Sequence, residues 1–121
     1  MSRALVLDGK NVLVVEDQYL VAESMKRSVR DLGGKVLGPV PNVAAALAMI
    51  ETEIPDLALL DVNLGGEPIF PAVLELNRRG IPYIFATGYE LSVLSPEHHK
   101  APHLEKPVTT RDLAEAVRKL L

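Results

Sequence analysis

Two kinds of apolar pattern alternate along this chain. Short runs with little polar interruption, NVLVVE (11–16), DLALLD (56–61) and PYIFAT (82–87), are separated by longer segments whose apolar residues recur at helical spacing. KVLGPV (35–40) is a weaker run, interrupted by Gly38 and Pro39, and HLEK (103–106) is a short one. The first helical stripe is Val21, Met25, Val29 and Leu32, stopped by Gly33-Gly34. The second is Val43, Ala46, Leu47 and Ile50, with Asn42 placed as its N-cap. AVLELNRRG (72–80) reads as a third helix, with Pro71 in its first turn and Gly80 as its stop. The final segment, TTRDLAEAVRKLL, puts Leu113, Ala116, Val117, Leu120 and Leu121 on one face. Thr109 or Thr110 caps it, with acids early and bases late, as the helix dipole favours.

Strands that are apolar along their whole length are buried on both faces, which requires a parallel sheet covered by helices on each side. The expected architecture is therefore a single α/β domain over residues 1–121, built on a doubly wound five-stranded parallel sheet. One stretch resists the pattern. GYELSVLSPEHHKAPHLE, between Thr87 and Lys106, must supply a helix and a strand, yet Gly88, Pro96 and Pro102 interrupt it. A short or irregular fourth helix near Leu91–Leu94 is expected there.

Composition narrows the partners. The net charge of −3 gives no electrostatic case for nucleic acid or an anionic membrane. The absence of cysteine excludes disulfides and Cys-based metal sites. No apolar run approaches the ~18 residues of a membrane span, and the first residues, MSRALVLDGK, lack the long apolar core of a secretory signal. A cytoplasmic domain is expected.

In doubly wound sheets, ligands sit beyond the carboxyl ends of the strands. Here those ends carry Glu16-Asp17, Asp61, Thr87 and Lys106-Pro107. Three carboxylates held together repel unless a cation joins them, and a hard divalent ion such as Mg²⁺ suits their oxygens. Asp61, the central acid, is the natural nucleophile. A carboxylate can attack phosphorus to form an acyl phosphate, whose charge Lys106 and the metal would stabilise while Thr87 hydrogen-bonds a phosphoryl oxygen. Gly65-Gly66 would relax the loop beyond Asp61. Taken singly, each group has an ordinary explanation: an acidic helix cap, a turn Asp, a strand-end hydroxyl, a solvated Lys. The inference rests on four strand ends carrying complementary groups in order. His98-His99 reads as solvated surface, and His103 as a strand residue three positions before Lys106.

These motifs together resemble the receiver domain of two-component response regulators, the CheY-like fold. VVED (14–17) resembles the acidic end of its first strand, LLDVNLGG (59–66) its phosphoacceptor strand and loop, FATGY (85–89) its Thr-bearing strand, and EKP (105–107) its Lys-Pro element. The resemblance covers about residues 10–121 and implies strand order 2-1-3-4-5. It implies that Asp61 is the phosphorylated residue and that Glu16, Asp17, Asp61 and the backbone carbonyl of Asn63 form the Mg²⁺ site. It further implies that Thr87 and Lys106 bind the phosphoryl group and that Lys106–Pro107 is cis. Phe-Ala-Thr-Gly-Tyr is similar to a subgroup of receivers, many of them stand-alone, that partner atypical histidine kinases.

Two features depart from the wider family. His103 occupies the position usually held by an aromatic switch residue, and the fourth helix is expected to be short or irregular. Tyr89 is then a candidate to supply the aromatic group near the site. The implied partners are a sensor histidine kinase or phosphotransfer protein and an unidentified downstream protein, with a homodimer as one open assembly. The implied role is a phosphoacceptor that catalyses its own phosphotransfer and dephosphorylation, not a separate enzyme. Two alternatives remain: an interaction module of the same fold that is not phosphorylated, and an aspartyl-nucleophile phosphatase. The phosphatase would need an acid two residues after the nucleophile, where this chain has Asn63.

Overall fold

The structure, a computed structural model, describes residues 5–88 and 101–121. The principal strands are β1 (Asn11–Val15), β2 (Lys35–Val40), β3 (Leu57–Asp61), β6 (Tyr83–Thr87) and β7 (His103–Glu105). They form a parallel sheet in the order β2-β1-β3-β6-β7. With the small hairpin strands β4 (Asn63–Leu64) and β5 (Glu67–Pro68) set aside, this is the expected 2-1-3-4-5 order. The helices are α1 (Tyr19–Asp31), α2 (Val43–Glu53), α3 (Phe70–Arg79) and α4 (Thr110–Leu120). The expected fourth helix around Leu91–Leu94 lies outside the described residues, as do Tyr89 and His98-His99.

Period-two alternation within the strands divides the core into two layers. Leu13, Val15, Ala58, Leu60 and Phe85 face α2 and α3, where Ala46, Ile50, Val73 and Leu76 meet them. Val12, Val14, Leu57, Leu59, Ile84 and Ala86 face Met25 and Val29 of α1 and Leu113 and Val117 of α4. Every residue of β3, the central strand, is buried, because both of its faces are covered.

The helix boundaries follow their local chemistry. Asn42 Oδ1 accepts from the Ala45 amide at 2.8 Å, and Thr109 Oγ1 accepts from the Asp112 amide at 3.1 Å. We expect Thr109→Ala to cost about 1 kcal/mol in urea unfolding, with Thr110→Ala costing less. Leu121 departs from the expected apolar face. It lies at the C-cap of α4 and is exposed, because the face turns away from the sheet at the last residue.

β2 tolerates its Gly-Pro pair because it is an edge strand. Its register with β1 shifts between Leu13 and Val15. At Gly38 (φ 96°) a Cβ would come within 2.7 Å of the Val40 amide nitrogen and 3.0 Å of the Val14 carbonyl, so no side chain fits. Gly65-Gly66 also differs from expectation. Both have positive φ (62° and 94°) and form the two-residue turn joining β4 to β5, so this segment is an ordered hairpin where a relaxed loop was expected. A turn at Val6–Gly9 precedes β1 and inserts Leu7 fully into the α1/α4 core layer.

Candidate functional site

The strand registers bring the chemistry-bearing residues to one edge. Val15 lies opposite Leu60 and Asp61 opposite Ala86, so Glu16-Asp17 and Asp61 leave adjacent strands side by side. Thr87 lies opposite Glu105, and the Lys106 amide donates to the Thr87 carbonyl at 2.9 Å, which seats Lys106 beside the end of β6. The Lys106–Pro107 peptide is cis. Beyond it, the Val108 carbonyl accepts a buried hydrogen bond from Ser28 Oγ at 3.0 Å, tying this corner to α1.

The carboxylates of Glu16, Asp17 and Asp61 each present an oxygen within 4.8 Å of the others. Asp61 is 1% exposed, Glu16 3% and Thr87 4%, while Asp17 stands at the open side. Lys106 Nζ lies 2.8 Å from Asp61 Oδ1 and 3.1 Å from Glu16 Oε1. One ammonium against three ionised carboxylates leaves two negative charges uncompensated. Glu16 registers the excess. Burial and the neighbouring Asp61 charge push its carboxyl up to about 7, against the opposing pull of Lys106. Burial disfavours the charged form of Lys106, but its bonds and attraction to Asp61 and Glu16 outweigh this and hold it above the usual lysine range.

A dication would cure this imbalance, and the oxygen-only donor set is of the hard type that Mg²⁺ takes. The backbone makes room for it. At Gly65 a Cβ would lie 3.3 Å from Asp17 Oδ2, so the hairpin runs directly against that carboxylate. The residues present fit a divalent cation.

The Glu16 shift sets a pH dependence in metal-free protein. The folded state keeps a proton that the unfolded chain releases above pH 4.5, so stability falls as pH rises from about 4.5 to 7. At about 1.4 kcal/mol per pH unit, the full drop is on the order of 3 kcal/mol. Thermal unfolding in a chelating buffer is expected to show it, and Glu16→Gln to flatten it.

His103 sits at the start of β7, half-buried, opposite Phe85 in the sheet. Its ring stacks on Phe85 (centroids 5.6 Å apart, planes at 26°), and Tyr83 meets Phe85 edge-on at 5.5 Å. The sequence reading missed the hairpin that follows Asp61. The glycine pair between the alternating residues Leu64 and Glu67 was the signal for it.

Comparison with known proteins agrees with this fold. The family model for the response regulator receiver domain matches residues 12–118. The chain is 37% identical over 114 residues to the positive alginate biosynthesis regulatory protein of Pseudomonas aeruginosa, covering 90% of this chain and 46% of that protein. It is 25% identical over 112 residues to the transcriptional regulatory protein PdtaR of Mycobacterium tuberculosis, covering 89% of this chain and 55% of that one. The chain thus spans about half the length of these curated relatives. Among solved structures, SdrG from Sphingomonas melonis Fr1 superposes with a TM-score of 0.82 at 37% identity, covering 98% of this chain and 97% of that one. PhyR from Brucella abortus superposes with a TM-score of 0.76 at 30% identity, covering 93% of this chain and 48% of that one. The match of the family model over most of the chain, together with these likenesses in sequence and fold, shows that the chain belongs to the response-regulator receiver-domain family of two-component signalling.

Proposed function

We propose that Asp61 accepts a phosphoryl group from the phosphohistidine of a sensor histidine kinase or phosphotransfer protein, in a Mg²⁺-dependent step catalysed by this chain. A carboxylate oxygen of Asp61 attacks phosphorus, the phosphorus–nitrogen bond to the donor imidazole breaks, and the imidazole leaves as the neutral base after taking a proton. Lys106, which pairs with Asp61 Oδ1, would pair with a phosphoryl oxygen once Asp61 carries one. Thr87, buried at the neighbouring strand end, offers a hydroxyl to another. Glu16, Asp17, Asp61 and the Asn63 carbonyl would hold Mg²⁺, which supplies charge neutralisation at the transferring group. Hydrolysis of the acyl phosphate by water would reset the site.

The switch would run from Thr87 through the Phe85–His103 stack and Tyr89 to a protein-binding face that meets the downstream partner or a second copy of the chain. Cytoplasmic residence belongs to the same reading. Among the described residues, no helix is long and apolar enough to cross a membrane.

The reading rests on three carboxylate oxygens converging within 4.8 Å of one another while Lys106 bridges two of the groups. Incubation with an acyl phosphate and Mg²⁺ tests it. Label on the peptide bearing Asp61 is the expected result. Unlabelled wild type that also ignores beryllofluoride would favour an unphosphorylated interaction module. Because a cation binds the ionised carboxylates, Mg²⁺ is also expected to raise the melting temperature, and by more at pH 8 than at pH 6.

A further inference from the structure

The hairpin after Asp61 touches two parts of the molecule at once. On one side, Gly65 faces the Asp17 carboxylate, close enough that an added Cβ would meet Asp17 Oδ2. On the other, Glu67, one residue beyond the turn, reaches α2, where its Oε1 accepts a hydrogen bond from the Val43 amide at 3.2 Å. Val43 is the first residue of α2, so this amide is one of the donors a helix leaves unsatisfied at its start. Asn42 satisfies another, the Ala45 amide. A carboxylate at this end is also favoured by the helix dipole. Between the two contacts the hairpin is held by its pairings, Asn63 with Pro68 and Leu64 with Glu67, and by Leu64, buried in the α2/α3 core layer.

We propose that Glu67 is a positioning residue for the cation site: anchored on the Val43 amide, it sets how the hairpin bearing Gly65 and the Asn63 carbonyl lies against Asp17, and so sets Mg²⁺ affinity without touching the ion. The proposal rests on the metal-site reading above. Its physical logic is that of outer-shell support, in which a residue that orients ligands changes affinity although it binds nothing itself. The capping bond joins a segment of low intrinsic rigidity, a two-residue turn of glycines, to the end of a packed helix. Without it, the hairpin would keep its Leu64 anchor but lose the constraint on its far strand.

The test is Mg²⁺ titration by calorimetry on four proteins spanning residues 1–121, the wild type and three variants, paired with melting curves in chelating buffer. Glu67→Ala is expected to weaken Mg²⁺ binding roughly tenfold. Its acyl-phosphate labelling should recover at saturating Mg²⁺, because the reacting groups are intact. Glu67→Gln keeps an oxygen acceptor for the Val43 amide and is expected to restore most of the affinity. Asn42→Ala is the control. It removes the other cap of α2, lowers the metal-free melting temperature, and is expected to leave Mg²⁺ affinity within about twofold, because its lost bond lies inside α2. Wild-type affinity in Glu67→Ala, or an equal loss in Asn42→Ala, overturns the inference while the receiver reading stands. A wild type that binds no Mg²⁺ overturns both.

Discussion

Asp61→Asn protein is expected to take no phosphoryl label from an acyl phosphate and Mg²⁺ under conditions that label the wild type fully. The carboxamide lacks the anionic oxygen that forms the bond to phosphorus, and no neighbouring acid replaces it at the same point. Glu16 is buried and held by Lys106, its other oxygen accepting from the Gln18 amide at 3.2 Å, while Asp17 stands at the open side of the pocket. The substitution should not unfold the protein. It removes one of three mutually repelling carboxylates and leaves a carbonyl able to accept from Lys106, so the metal-free melting temperature should equal or exceed that of the wild type. The Asp61 charge is also one of the two causes raising the Glu16 carboxyl, so the pH dependence of stability should flatten in the same protein. Persistent label on Asp61→Asn would remove Asp61 from the phosphoacceptor role.

Phe85→Ala is expected to cost about 3–5 kcal/mol in urea unfolding, with a drop in melting temperature on the order of 10–20 °C. Phe85 is fully buried on the α2/α3 side of the sheet, and its ring meets both Tyr83 and His103. Truncation leaves a cavity at the join of β6 and β7 and removes both ring pairs. β7 is only three residues long and pairs with β6 along its whole length, so it has little else to hold its register. Phe85→Leu should lose less, about 1–2 kcal/mol. A cost below about 1 kcal/mol for the alanine variant would mean that this ring is not the wedge between the strands that its burial indicates.

The elements that could be read before the fold was known were those whose chemistry is local. Asn42 and Thr109 cap helices because their side chains reach an amide three residues on, and that geometry needs no tertiary partner. The buried strands were visible because a sheet covered on both faces demands unbroken apolar runs, as in Leu57–Leu60. Glu16, Asp17, Asp61 and Lys106 converge because parallel strands end at one edge, which follows from connectivity alone. What escaped was set by contacts distant in sequence. The partner of Glu67 is 24 residues away, and that of Ser28 is 80 away. The glycine pair at 65–66 suits a slack loop as well as a tight turn, and only the pairing of Leu64 with Glu67 decides between them. Leu7 ends a four-residue apolar run, Ala4–Leu7, too short to show a period, and nothing in it singled out Leu7 as the side chain that is wholly enclosed.

That leucine has a practical consequence. Its amide donates to the Leu32 carbonyl at 3.0 Å, and the Lys10 carbonyl accepts from Lys35, so the preamble is stitched to the far end of α1 and the start of β2. The family match begins only at residue 12. A polypeptide trimmed to that boundary, or clipped by a protease at Gly9, would keep every acid of the pocket yet lose the stopper from the opposite end of the core layer between α1, α4 and the sheet. Water would then reach Met25 and Val29 from below, and what looked like a defect in signalling would be a leak in the floor.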